Sequence, residues 1–246
     1  MLSLRRSDFD AVFLDAGNTL ITLDHALVCE VLAAEGVRVA PQALARAEAA
    51  ARPAVSRLLG GGVSSEGGDT FTFYVRRILE RLADDHGRPI PEPGDLPKRV
   101  VAALRQGVPT QRLWSQVLPG VPEALQMLRN AGFCLVVVSN SDGTVEDGLA
   151  SLGLRELVHG VVDSAVVGAE KPDPAIFRYA LDLAGTEPDR TLHVGDLFSV
   201  DVLGARAAGL HAVLLDPYGD WDDVDCPRVP DLQSLAHALV NGGKRT

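Results

Sequence analysis

The sequence predicts an α/β protein, a doubly wound parallel sheet with an all-helical block inserted after its first strand. Three observations carry this expectation. Short apolar runs alternate with amphipathic segments through the C-terminal half of the chain. One further apolar run stands alone near the start. Between them, from about residue 24 to 107, no convincing strand is found.

Continuous apolar runs bounded by turn residues are the pattern of strands buried on both faces. Five qualify: residues 11–15 (AVFLD), 134–140 (CLVVVSN), 160–164 (GVVDS), 191–196 (TLHVGD) and 211–216 (HAVLLD). Helical periodicity is expected over 121–131, 144–152, 174–184, 200–208 and 232–240. Strand, helix and strand joined by short loops imply right-handed crossovers and a doubly wound sheet. In the inserted block helices are expected over 25–35, 41–59, 70–86 and 97–106, separated by the Gly- and Pro-rich stretches LGGGVSSEGG and GRPIPEPGDLP. The organisation expected is a core of residues 1–22 and 110–246 and a helical cap of residues 23–109. The terminal NGGKRT has no strand before it or helix after it, and reads as a frayed tail.

Composition excludes several classes of function. The chain of 246 residues has 46% hydrophobic and 23% charged residues, ordinary values for a soluble globular protein. Its 23 Lys+Arg against 33 Asp+Glu give a net charge of -10. Such a surface repels phosphate backbones and anionic lipid, so neither nucleic acid nor membrane is an expected partner. Acids at positions 8, 10 and 15 interrupt the early apolar runs, so no signal peptide or membrane span is expected. Cys29, Cys134 and Cys226 are far apart and in no metal-ligand spacing, which reads as reduced, buried thiols in a cytoplasmic protein. Oligomeric state is left unassigned.

In a doubly wound sheet, ligands bind beyond the carboxyl ends of the strands. The polar residues at those ends are Asp15 after the first strand, Ser139 and Asn140 after the second, and Asp196 after the fourth, with Asp201 five residues on. The loop GAEKPDP before the helix at 174 adds Lys171, one of three lysines in the chain. Each alone reads as a helix cap or a turn; the set on one rim reads as a site. Three acids repel one another unless a hard divalent cation binds among them, and Mg²⁺ takes oxygen ligands of this kind. A carboxylate so placed can attack phosphorus and form an aspartyl-phosphate, dividing one transfer into two. The Ser139 hydroxyl and Lys171 ammonium suit phosphate oxygens. The backbone carbonyl of Gly17 suits the cation. Lysine on a loop rim is expected to be removable without loss of stability.

The stretches FLDAGNTL, VVVSNSDG, GAEKPDPAIF and HVGDLFSVDVLGARAAG resemble, in order and spacing, the four motifs of the haloacid dehalogenase-like hydrolase superfamily. The similarity is to the subgroup whose helical cap lies between the first and second motifs. It implies a Rossmann-like core, Mg²⁺ as cofactor and, usually, hydrolysis of a phosphate ester on a small phosphorylated molecule. It implies Asp15 as nucleophile and metal ligand, and Ser139 and Lys171 as binders of the transferring phosphoryl group. Asp196 becomes a direct metal ligand, Asp201 a direct or water-mediated one, Thr19 a support for the loop after the nucleophile, and Asn140 a substrate contact.

One position departs from that pattern. Phosphatases of the family carry a second Asp as general acid/base two residues after the first, where this chain has Gly17. Loss of such a group costs about 10²–10⁴ in rate. Three readings stay open: a phosphatase of modest rate, a relative with dehalogenase or phosphonatase chemistry, and a non-catalytic module that binds metal and phosphate. Dehalogenases lack the paired acids at 196 and 201, and a phosphonatase needs a Schiff-base lysine in the cap, where Lys98 is the one lysine. His25 at the start of the cap is a candidate proton donor, although a histidine at a helix start on a wet surface is the plainer reading. His193 within a strand reads as core. Arg57, Tyr74, Arg76 and Arg77 in the cap are candidates for an anion contact, against the plainer reading of solvated helix residues.

Overall fold

The structure, a computed structural model, describes residues 5–64, 68–82, 94–107, 110–222 and 224–242. Its contacts divide the chain into two compact units, one of Met1–Thr22 with Val117–Thr246, the other of Leu23–Gln116. The strands are β1 (Ala11–Leu14), β2 (Ile21–Thr22), β3 (Gln116–Val117), β4 (Cys134–Ser139), β5 (Gly160–Asp163), β6 (Thr191–Gly195), β7 (His211–Leu215) and β8 (Arg228–Val229). The helices of the second unit are α1 (His25–Ala34), α2 (Pro41–Leu59), α3 (Gly68–Arg81), α4 (Leu96–Gly107) and α5 (Thr110–Leu113). Those of the first are α6 (Val121–Asn130), α7 (Val145–Ser151), α8 (Ser164–Val167), α9 (Pro174–Ala184), α10 (Leu203–Ala207) and α11 (Leu232–Asn241).

Six strands form one parallel sheet in the order β5-β4-β1-β6-β7-β8, while β2 and β3 pair separately. All five expected strands are present, and each ends one residue before the run predicted for it. Asp15, Asn140, Asp196 and Asp216 therefore lie just past the ladders, in the loops, and Ser164 opens α8. The two-residue strands β2, β3 and β8 have too little pattern to be read from sequence.

Strand alternation sorts the apolar residues onto the two faces. On one face Ala11, Phe13, Val136, Val138, Ala212 and Leu214 pack with Ile176, Phe177 and Ala180 of α9 and Ala205 of α10. The intervening Val12, Leu14, Leu135, Val137, Leu192 and Val194 are equally buried, and α6, packed on β4 and α11, lies against that side. The chain fills the sheet from β1 outward through β4 and β5, then returns across β1 to β6. That reversal falls between β1 and β6, and in such sheets ligands bind beyond the carboxyl ends of the strands at this point.

Apart from Gln116 of β3, the described elements of the second unit are helices, with α2 packed on α1 and α3, and α3 on α4. Asp24 caps α1 by accepting from Leu27 N at 3.0 Å. The helix expected over 70–86 runs from Gly68 to Arg81; its predicted end and most of GRPIPEPGDLP lie outside the described residues, as do residues 65–67 of LGGGVSSEGG and the last four residues of the chain. Among the described residues no helix is long and apolar enough to cross a membrane.

Candidate active site

Asp15 begins where the sheet stops. Its N–H still donates to Val194 O at 2.8 Å, which fixes it between β1 and β6. The chain then folds into a tight loop: Ala16 O accepts from Leu20 N at 2.9 Å and Ile21 N at 3.0 Å, and Asn18 N donates to Ile21 O at 2.6 Å. Gly17 forms a parallel bridge with Ile21. The left-handed residue of the loop is Asn18, φ 53, a conformation asparagine tolerates better than most residues. Thr19 reaches back from the loop, its hydroxyl donating to Asp15 Oδ2 at 3.4 Å.

Lys171 closes the other side. Its ammonium donates to Asp15 Oδ1 at 2.5 Å and to Asp201 Oδ1 at 2.8 Å. It is 3% exposed, so the loop-rim lysine expected to be removable is instead a buried ion-pair partner. Asn140 explains how a loop residue is held so firmly: its Nδ2 donates to Lys171 O at 2.8 Å and its Oδ1 accepts from Lys171 N at 2.7 Å. Both ends of that amide grip one residue of the lysine loop.

Asp201 is placed by a π-helical turn, Phe198–Val202, which precedes α10 and replaces the start of the helix expected at 200. Its Oδ2 accepts from Leu197 N at 2.9 Å, and its Oδ1 meets His193 Nε2 at 3.1 Å as well as Lys171. Two glycines make room. A Cβ on Gly195 would stand 2.1 Å from Asp201 Cγ, and one on Gly204 would stand 2.9 Å from Pro172 Cα.

Ligand atoms of Asp15, Asp196 and Asp201, all buried, lie within 4.8 Å of one another. Three carboxylates and one ammonium give -3 + 1 = -2, a charge that a divalent cation cancels. The donors are all hard oxygens, with no thiolate among them, and so suit Mg²⁺ rather than Zn²⁺. In the metal-free protein, burial pushes Asp15 up to about 6, with the Asp201 charge adding to it and Lys171 opposing. Asp201 goes the other way: burial acts to raise it, but Lys171 and His193 hold it well below the carboxylate range. Burial works to lower Lys171, yet its two carboxylates keep it firmly protonated.

The profile of the haloacid dehalogenase-like hydrolase family matches residues 9–209. The chain belongs to this family. A mouse protein, haloacid dehalogenase-like hydrolase domain-containing protein 3, is 43% identical over 127 residues, covering 50% of this chain and 51% of that one. The chain thus spans about half the length of relatives of that name. The glyceraldehyde 3-phosphate phosphatase of Methanopyrus kandleri is 30% identical over 200 residues, covering 76% and 84%. Among solved structures, the magnesium-bound HAD-hydrolase YfnB of Bacillus subtilis superposes with TM-score 0.63 at 19% identity, covering 94% of this chain and 98% of that one. At that identity the likeness speaks for the fold.

In this haloacid dehalogenase-like hydrolase several other residues differ from what sequence suggested. Ser139 is buried, and its hydroxyl makes a long 3.4 Å bond to Asn140 O, so it is weakly committed. His193 is buried as expected but has a polar role on Asp201; burial lowers its pKa, against the pull of Asp201. His25 is buried, not wet, with Nε2 2.5 Å from Glu48 Oε2. Tyr74 donates to the other Glu48 oxygen at 2.5 Å. Arg76 donates to Gly94 O and Arg77 pairs with Glu80, while Arg57 is exposed. The Lys98 side chain is 72% exposed beside Asp95. None of the three cysteines is in a disulfide, and they are half-buried rather than buried.

The sequence reading missed Asp163 and Ser164. Asp163 accepts from Gly143 N, Val145 N and Ala165 N, and Ser164 Oγ accepts from Ser141 N. Together they hold the loop that follows Ser139. Asp163 ends a strand on the same sheet edge, so the strand-end rule would have found it if applied to β5.

Proposed function

We propose that this hydrolase is a Mg²⁺-dependent phosphatase of small phosphorylated metabolites that works through an aspartyl-phosphate on Asp15. The observation that carries the reading is the placement of the Asp15 carboxylate. It is buried at the sheet's reversal point, joined to the Lys171 ammonium and grouped with Asp196 and Asp201. The M. kandleri relative, named a glyceraldehyde 3-phosphate phosphatase, supports the substrate class. Three cysteines outside any disulfide suit a reducing compartment such as the cytoplasm.

Asp15, the Gly17 carbonyl, Asp196 and Asp201 would hold Mg²⁺, which when bound supplies the charge neutralisation that phosphoryl transfer requires. Asp15 attacks phosphorus, the bond from phosphorus to the ester oxygen breaks, and the electron pair departs with the leaving group. Ser139 Oγ and Lys171 Nζ hold the phosphoryl oxygens, Asn140 keeps Lys171 in position, and Thr19 steadies the nucleophile. Water then attacks phosphorus and the Asp15 carboxylate is released.

The intact acid trio and Lys171 weigh against dehalogenase chemistry. An exposed Lys98 weighs against a phosphonatase, whose Schiff-base amine has to be desolvated or set beside another cation. Gly17 favours one second reading, a module that binds metal and phosphate without turnover. Release of phosphate from p-nitrophenyl phosphate and a panel of phosphorylated metabolites, with a 2-haloacid control, separates these. Mg²⁺-dependent phosphate release that Asp15→Asn abolishes is the expected result. Halide release, or phosphate binding without turnover, would overturn it.

A further inference from the structure

Transfer through Asp15 requires two proton movements, one onto the leaving oxygen and one off the attacking water. Gly17 has no side chain to make either. Among the described residues, the side chains hydrogen-bonded to Asp15 and to its ion pair are engaged with one another. Lys171 Nζ donates to both Asp15 and Asp201, and Asp201 accepts from Lys171 and Leu197 N and meets His193. The Thr19 hydroxyl donates to Asp15 itself. Asn18, the residue after Gly17, turns its Oδ1 to the Thr22 hydroxyl at 3.0 Å. These contacts fix the nucleophile and its ion pair, and none of these described hydrogen bonds sets a carboxyl or imidazole where the side chain of residue 17 would stand.

The two half-reactions are affected unequally. A substrate can dispense with the first proton: an acyl, enol or aryl phosphate departs as a carboxylate, enolate or phenolate that is stable unprotonated. An alkyl phosphate departs as an alkoxide and is not. The second half-reaction has no such escape, because the nucleophile is water whatever the substrate. Building on the phosphatase reading, we infer that the natural substrates are phosphates of acidic leaving groups, and that hydrolysis of the aspartyl-phosphate is the slow half, so that this intermediate accumulates. In the first half, the bond from Asp15 to phosphorus forms as the bond to the leaving oxygen breaks. In the second, the bond from water to phosphorus forms, the carboxylate leaves with its electron pair, and the water's proton passes to phosphate or solvent.

Rapid mixing of the whole chain with p-nitrophenyl phosphate and Mg²⁺, followed by acid quench, tests this, with acetyl phosphate and glycerol 3-phosphate run in parallel. The expected result is a burst of nitrophenolate approaching one per chain, with a phosphorylated protein that hydroxylamine cleaves and Asp15→Asn lacks. Acetyl phosphate should label the protein as well, and glycerol 3-phosphate should turn over about 10²-fold more slowly or less. Gly17→Asp should remove the burst and raise the steady rate about 10²-fold or more. Steady turnover without burst or labelled protein, or glycerol 3-phosphate hydrolysed as fast as the aryl ester, overturns the inference and leaves the phosphatase reading standing. No product from any ester overturns that reading and this inference with it.

Discussion

Lys171 shows how much one residue carries in this site. Its ammonium is the one cationic partner that the described hydrogen bonds give to Asp15, and it also pairs with Asp201. Lys171→Met should therefore leave buried acids uncompensated and cost about 3–5 kcal/mol in Mg²⁺-free buffer, with much of the loss restored by Mg²⁺. Denaturant titrations with and without Mg²⁺ measure this, and equal stability of both proteins in chelator would contradict the buried ion pair. Gly195→Ala tests the space behind Asp201, where a Cβ would meet Asp201 Cγ at 2.1 Å. The expected cost is about 1–3 kcal/mol in stability, together with weaker Mg²⁺ binding; a variant crystal structure with Asp201 unmoved would refute the explanation. The acids themselves were legible because strand ends can be read from apolar runs. The burial of Lys171 was not, since it depends on a grip by Asn140, 31 residues away in sequence, and on a glycine that lets a loop approach.

At the scale of elements, the sheet was readable where strands are long and apolar, and invisible where they are two residues long. The π-helical turn that aims Asp201 has no period of its own to detect. In the helical unit the polar centre escaped sequence reading as well: Glu48 on α2 is 1% exposed, bonded to His25 of α1 and Tyr74 of α3. Burial acts to raise Glu48, but the His25 bond, the Arg52 charge and Tyr74 hold it below the ordinary carboxylate range. A carboxyl depressed in the folded state stabilises above its unfolded pKa, about 4.3, and that contribution fades as pH falls through the folded value. The stability difference between wild type and Glu48→Gln should thus be largest near neutral pH and shrink below about pH 4. A difference that is constant from pH 7 to 3 would show that the pair adds nothing through its charge.

For the molecule as a whole, a net charge of -10 surrounds the site proposed to take a phosphate ester. Long-range repulsion should slow the encounter, so raising salt from about 10 to 150 mM should increase kcat/KM for a dianionic ester severalfold while leaving kcat nearly unchanged. A falling kcat/KM would mean that local positive charge dominates the approach. The central claim is that Asp15, Asp196 and Asp201 form one divalent-cation site on the sheet's edge. Calorimetric titration of Mg²⁺ into wild type and Asp196→Asn addresses it most directly. The wild type should bind one Mg²⁺ per chain, and the variant should bind it at least about tenfold more weakly, the loss expected when a ligand carboxylate is neutralised. Unchanged Mg²⁺ affinity in Asp196→Asn would contradict it.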